Sequence, residues 1–256
     1  MKLLSRSVFL LFGATLIWSG SVAAQDEQLT GMVEVFSCSY IDDNGMDELQ
    51  AVADRWNDWA DDHDVTDYTA LIMSPLIRSD EMTYDVLWYG AYPSGNAMGA
   101  GLGQWLREGG ELNEAFGEVV DCASTSLFAE AITREFTGET PELGVAAFQN
   151  CTIDEGRNIG ETLAAAGRWG EYVAANGPVT YMAQLYPFGG LRPDSDYSFK
   201  AIVGFESPEG FGEFMHMLTS NGFAGANAFQ GILAPYIDCD SARIYAVDFV
   251  RVPSGG

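Results

Sequence analysis

The chain has 256 residues, 37 of them Asp or Glu and 12 Lys or Arg, which gives a formal net charge of -25 and an isoelectric point near 4.1. A field of that sign repels polyanions and anionic headgroups and excludes an electrostatically driven nucleic-acid binder. A hydrophobic content of 47% with 12% aromatics excludes an acidic disordered chain, because these residues suffice to build cores.

Residues 1–24 open with Lys2 and Arg6, continue through an apolar run from Val8 to Trp18, and close on the small residues Ser21, Val22, Ala23 and Ala24. That is the pattern of a secretory signal peptide. The apolar run is too short for a membrane anchor, and no later stretch reaches the ~20 apolar residues of a spanning helix. No Cys follows the cleavage site, so no lipid anchor is expected either. The expectation is a secreted or periplasmic protein whose acidic surface is a solvated, salt-tolerant coat.

After a linker over 25–31, the spacing of apolar residues predicts a strand over 32–40 and a helix from Met46 to about His63, with Leu49, Val52, Ala53, Trp56 and Trp59 on one face. Two β-rich runs follow, Tyr68–Leu76 and Tyr84–Tyr92, joined by the polar stretch 78–81. A second helix is expected from about Asn96 to Val120, broken near Gly109 and Gly110, and then a strand over Ala123–Ile132. A linker over 138–142 precedes the same sequence of elements: strand 145–150, helix 159–175, strands 180–187 and 197–206, helix 208–219 with a further turn to about 234, and strand 242–251. The units are thus 32–137 and 143–252, with a tail over 253–256.

The two units are copies. A shift of 113 residues superposes Cys38 on Cys151, Arg55 and Trp56 on Arg168 and Trp169, Tyr68 on Tyr181 and Tyr84 on Tyr197; later a shift of 117 brings Asp121 and Cys122 onto Asp238 and Cys239. Each reads βαββαβ, a ferredoxin-like unit. An even cysteine count in an exported chain argues for disulfides. In a sheet ordered 4-1-3-2, the start of strand four lies beside the end of strand one, which predicts the bridges Cys38–Cys122 and Cys151–Cys239. Each closes a loop of more than 80 residues, worth ~4 kcal/mol in the chain-entropy description.

The runs Ala70–Met73, Val86–Tyr92 and Ala201–Phe205 are apolar on both faces, so something must cover the side of each sheet that its helices do not. The economical cover is the other copy's sheet. The fold class expected is α+β: two tandem ferredoxin-like repeats whose antiparallel sheets come together as an α/β barrel, a pseudo-dimer within one chain. This arrangement resembles the dimeric α/β-barrel superfamily in fused form, which includes antibiotic-biosynthesis-type monooxygenases, stress-responsive A/B barrels and proteins of the NIPSNAP and EthD types. The resemblance spans the mature chain and rests on topology and duplication, so no catalytic residue is carried over from it. It implies a cavity between the sheets that takes small, often aromatic or haem-like ligands.

Candidate residues follow from position. Tyr68, Trp88, Tyr89, Tyr181, Tyr186 and Phe205 fall on central strands, and those that face between the sheets would bind a small molecule. His216, among Phe214, Met215, Met217 and Leu218, is a candidate axial haem ligand or general base, set against a partly buried structural histidine. Glu34 is a second candidate base. Asp61, Asp62, His63 and Asp64 oppose the dipole at the end of a helix and are candidate cation ligands, against the plainer reading of a solvated acidic loop. Residues 41–48 fail the spacing of a calcium loop, the glycines at 99, 101 and 103 lack the strand-to-helix setting of a dinucleotide fingerprint, and no G-x-S-x-G elbow is present. The recurring Arg–Trp pairs read as packing. No cofactor is expected, haem being the alternative. The leading function is binding of a small apolar or aromatic molecule between the sheets, against a cofactor-light enzyme of monooxygenase, cyclase or isomerase type, or a structural protein with a filled core.

Overall fold

The computed structural model describes residues 30–78, 82–191 and 194–253. The expected signal peptide lies outside them, as do most of the first linker and of the C-terminal tail. The elements are β1 (Thr30–Tyr40), α1 (Met46–Asp62), β2 (Thr69–Ile77), β3 (Val86–Tyr92), α2 (Gly95–Glu108), α3 (Gly110–Val119) and β4 (Val120–Arg134), then β5 (Gly144–Ile153), α4 (Ile159–Asn176), β6 (Thr180–Gly189), β7 (Phe199–Phe205), α5 (Pro208–Ile232), β8 (Ile237–Cys239) and β9 (Arg243–Arg251). The break foreseen at the paired glycines is real: Gly109 caps α2 and starts α3. α5 reaches the expected region and is interrupted after 219, with Asn221, Gly222 and Phe223 in left-handed backbone.

Local chemistry sets the helix starts. Glu48 accepts the Gly45 backbone N–H at the head of α1, and Asn158 and Glu161 cap α4 reciprocally, each such device being worth about 1 kcal/mol. Their apolar stripes then decide which way each helix faces. Leu49, Val52, Ala53, Trp56 and Ala60 of α1 are buried against the outer face of the first sheet, and Ala165, Ala166, Trp169 and Val173 of α4 against the second.

In the first half the strands run β4-β1-β3-β2, and in the second β9-β5-β7-β6, each the expected 4-1-3-2 order. The halves do not stack as two separate sheets. They join edge to edge, β2 with β9 and β4 with β6, so that eight antiparallel strands close on themselves. Closure explains the two-faced apolar strands: one face looks into the barrel and the other lies under helices. Short β8 continues beside β5 and carries the second bridge. Both disulfides, Cys38–Cys122 and Cys151–Cys239, join residues directly opposite on paired strands, as the strand order requires. Arg251 on β9 adds a tie between the halves, donating to Val65 O, Asn57 Oδ1 and Asp61 Oδ1.

Candidate functional site

An eight-stranded barrel is just wide enough for side chains to fill it, so residue size at each inward position decides what is hollow. Through much of the interior Leu87, Phe128, Phe148, Leu185 and Tyr245 pack together, and the hydroxyls of Tyr84 and Tyr245 share a 2.6 Å hydrogen bond. Toward the end where β1 and β5 begin, the inward positions are Gly31, Thr69, Ala91, Gly144, Ala146 and Gly204. They leave a cavity of about 570 Å³, with Phe136, Thr140 and Pro141 of the connecting segment and Val252 and Pro253 at its border. The interior is therefore filled in one part and open in another.

Glu130 breaks the apolar wall. It points inward from β4 between Phe128 and Ile132 and is buried. Tyr89 from β3 and Tyr181 from β6 both donate their hydroxyls to Glu130 Oε1, at 3.0 and 2.5 Å. Its other oxygen lies over Gly31, where a Cβ would stand 2.8 Å from it, so glycine on β1 makes room for the carboxyl. Burial raises the Glu130 pKa above the usual carboxylate value, and the Tyr181 and Tyr89 hydroxyls, which favour the charged form, offset this only in part. Burial, and then the neighbouring Glu130, push both tyrosines well above their ordinary range. Asp67 is the other charged residue lining the cavity, and it is exposed. The result is an apolar chamber with one buried acid whose neutral form is favoured more than that of an exposed carboxyl. Such a group can donate a hydrogen bond to a ligand's carbonyl or accept one from its hydroxyl.

The duplicated half lacks this chemistry. Gly31 pairs with Glu130 as Gly144 pairs with Val247, so Val247 takes the acid's place, and by the same register Ile202 stands for Tyr89 and Thr69 for Tyr181. The polar spot sits on one wall only.

Of the aromatic candidates, Tyr89 and Tyr181 come together inside the barrel. Phe205 borders the cavity from β7, while its ring packs with Phe211 and Phe214 under α5. Tyr68 and Trp88 do not face the barrel interior: Tyr68 precedes β2, and both lie on the outer face with Glu34, whose Oε1 accepts the Tyr68 hydroxyl at 2.7 Å. Tyr186 also lies outside, against Phe199, and donates to Gln184.

His216 is exposed on α5 and lines neither this cavity nor the outer one around Glu34, in place of the partly buried position expected of it. No histidine lines either cavity, so the residues present do not fit a histidine-ligated haem. The acidic cluster is dispersed as well. His63 Nδ1 meets Trp59 O at 2.7 Å and its Nε2 lies 3.1 Å from Glu108, Asp61 binds Arg251, and Asp62 and Asp64 are exposed. Among the described residues no three His, Cys, Asp or Glu side chains converge as a cation would require. In the Arg–Trp pairs Trp56 and Trp169 are buried and Arg55 and Arg168 exposed, and Arg168 donates to Ala164 O and the Tyr236 hydroxyl where a carboxylate was expected.

The residue that sequence reasoning missed is Glu130. Its signal was a lone carboxylate in the apolar stretch Phe128-Ala129-Glu130-Ala131-Ile132, on the same strand face as Phe128 and Ile132.

No protein-family model matches the chain, and no curated protein matches it in sequence. Solved structures do match in shape. An anthrone oxidase-like protein shares 11% identity over 90% of this chain and 96% of its own, with a TM-score of 0.51. A putative monooxygenase from Lactobacillus acidophilus shares 9% over 87% and 95%, with a TM-score of 0.53. A putative monooxygenase from Fusobacterium nucleatum shares 8% over 89% and 94%, also at 0.53. At these identities the likeness is one of fold: the chain has the dimeric α/β-barrel architecture in a single polypeptide.

Proposed function

We propose that this single-chain α/β barrel is an exported protein that binds a small, mostly apolar or aromatic molecule carrying one hydrogen-bonding oxygen, held at the open end of the barrel with that oxygen on Glu130. The observation that carries this reading is the pairing of a cavity of about 570 Å³ with a single buried acid fixed by Tyr89 and Tyr181. Apolar walls with few, well-placed polar groups are the general composition of small-molecule sites. Export is supported by the leader-like first residues and by two disulfides, which persist in oxidising compartments.

The test is titration calorimetry with 1-naphthol and naphthalene. Ala146→Phe, which fills the cavity, should abolish binding of both. Glu130→Leu should weaken 1-naphthol about tenfold, the worth of one hydrogen bond to a buried acid, and leave naphthalene unchanged. Binding of either probe that survives Ala146→Phe at full strength would overturn the reading.

Glu130 supports a second reading, an enzyme that moves a proton without a cofactor. A carboxyl raised from its ordinary value is closer to the neutral range in which general acids and bases work best. Glu130 would take the role expected of Glu34 or His216, neither of which reaches the barrel cavity. In this reading Glu130→Gln stops deuterium exchange at carbon beside the carbonyl of a bound ketone while the ketone still binds. The fold is shared with proteins described as putative monooxygenases and as anthrone oxidase-like, which is compatible with chemistry on such ligands.

A further inference from the structure

A second cavity, of about 770 Å³, lies on the opposite side of the first sheet, between its outer face and α1, α2 and α3. Aromatic rings form much of its wall: Trp56 and Trp59 from α1, Trp88 and Tyr92 from β3, Trp105 from α2 and Phe116 from α3. Trp56 meets Trp88 edge-on at 5.2 Å, Trp88 meets Phe116 at 5.5 Å and Trp59 meets Trp105 at 5.4 Å. Neighbouring rings thus stand nearly perpendicular, and the faces they present point in several directions. α2 closes the cavity loosely. None of its residues is buried, and Leu102 and Leu106, both lining the cavity, are 45% and 76% exposed.

The charge in this wall has one sign. Glu34 and the exposed Asp121 are its charged residues, and no Lys, Arg or His lines it. Glu34 Oε1 accepts the Tyr68 hydroxyl, which in turn accepts Trp88 Nε1–H at 3.1 Å, and Tyr92 is the remaining titratable group around it. Burial raises the Glu34 pKa, and the lining supplies no cation to reverse this.

The second half builds the matching layer from other contacts. There Trp169 packs on Tyr172 and Phe229, with Met217, Leu233 and Ile237 buried in the same cluster. By strand register Glu34 stands where the second half has Ala147, Trp88 where it has Ala201, and Gly90 where it has Val203. Gly90 is required here, because a Cβ at that position would overlap the Tyr68 hydroxyl that holds Glu34.

We propose that this outer cavity is a separate site for an organic cation, an ammonium group borne on an apolar or aromatic body, with the charge held between Glu34 and the surrounding indole and phenol rings. Aromatic faces attract desolvated cations, the half-buried Glu34 carboxylate supplies the counter-charge, and the size of the space calls for a body larger than the ammonium alone. The net charge of the protein draws cations toward it.

The test compares phenyltrimethylammonium with its neutral isostere tert-butylbenzene, by calorimetry and tryptophan fluorescence, in salt sufficient to screen the acidic surface. Above the carboxyl range the cation should bind roughly tenfold tighter than the isostere. That preference should shrink as the pH falls through the raised pKa of Glu34. It should disappear in Glu34→Gln, which leaves tert-butylbenzene binding intact and so reports that the cavity still forms. Trp88→Ala, the residue type at the matching position of the second half, should weaken the cation as well. Ala146→Phe, in the barrel, should leave the cation's binding and its dependence on Glu34 unchanged, so failure of the barrel reading is distinguishable from failure of this one. Equal affinities for the two probes, or a preference that persists in Glu34→Gln, would overturn the proposal; so would binding of neither.

Discussion

Tyr68 and Tyr181 hold matching places in the sequence repeat, yet they end on opposite faces of the barrel wall. The sheet register explains it: Tyr181 pairs with Gly204, whereas the residue that pairs with the corresponding Ala91 is Thr69, one position after Tyr68. A slip of one residue in a strand exchanges inside for outside. Tyr181 therefore points into the barrel and bonds Glu130, while Tyr68 lies under the helices and bonds Glu34. The two halves keep one topology and one bridge each, but differ in where they place polar groups and empty space.

Several substitutions probe that asymmetry. The largest effect is expected at the bridges, where removal of either should cost ~4 kcal/mol in denaturant unfolding, since the loops of 84 and 88 residues are nearly equal. The halves should differ in the order of loss: Cys38 and Cys151 are both buried, but Cys122 is exposed where its counterpart Cys239 is half-buried, so limited reduction followed by alkylation and peptide mapping should open the first bridge before the second. Next come the paired tryptophans. Trp169→Ala removes a buried ring packed on Tyr172 and Phe229 and should cost about 3–5 kcal/mol, whereas Trp56→Ala borders space that is already open and should cost about 1–2 kcal/mol less. Equal losses would mean that the first helix layer is as tightly filled as the second.

A smaller effect concerns pH. Because the folded state raises the Glu130 pKa above its unfolded value, its protonated form contributes stability that is full below the ordinary carboxyl range and is lost as pH rises through the raised value. Relative to Glu130→Gln, the native protein should become progressively less stable over that interval, measured by urea unfolding at a series of pH values. A constant difference would show that the carboxyl is not perturbed. Smallest are the single hydroxyls: Tyr181→Phe and Tyr68→Phe should each cost about 1 kcal/mol, with Tyr181→Phe the milder because Tyr89 still serves Glu130.

The topology was legible in the sequence because repetition and cysteine position constrain each other. Once Cys38 and Cys151 fall at strand ends and Cys122 and Cys239 before the last strands, the 4-1-3-2 order and both bridges follow. The site was legible only in part. Tyr89 and Tyr181 could be placed on central strands, but choosing the face of each required a register that apolar residues on both sides of a strand do not reveal. Tyr68 and Trp88, candidates beside them, lie on the helix-covered face, which the sequence left open for that reason. Glu130 was passed over because an acid within a chain so rich in acids is an ordinary sight; only its apolar setting between Phe128 and Ile132 marks it out. His216 has apolar neighbours in sequence, but Met217 is the one buried beneath α5.

Closure of the barrel through the β2–β9 and β4–β6 seams carries a further consequence. Between separate subunits those seams would come apart on dilution, and symmetry would oblige any acid on one wall to face its twin on the other. Within one polypeptide they persist at any concentration. Each wall is then free to diverge, so a lone carboxyl can look across at Val247, and a ligand meets a chamber with a front and a back.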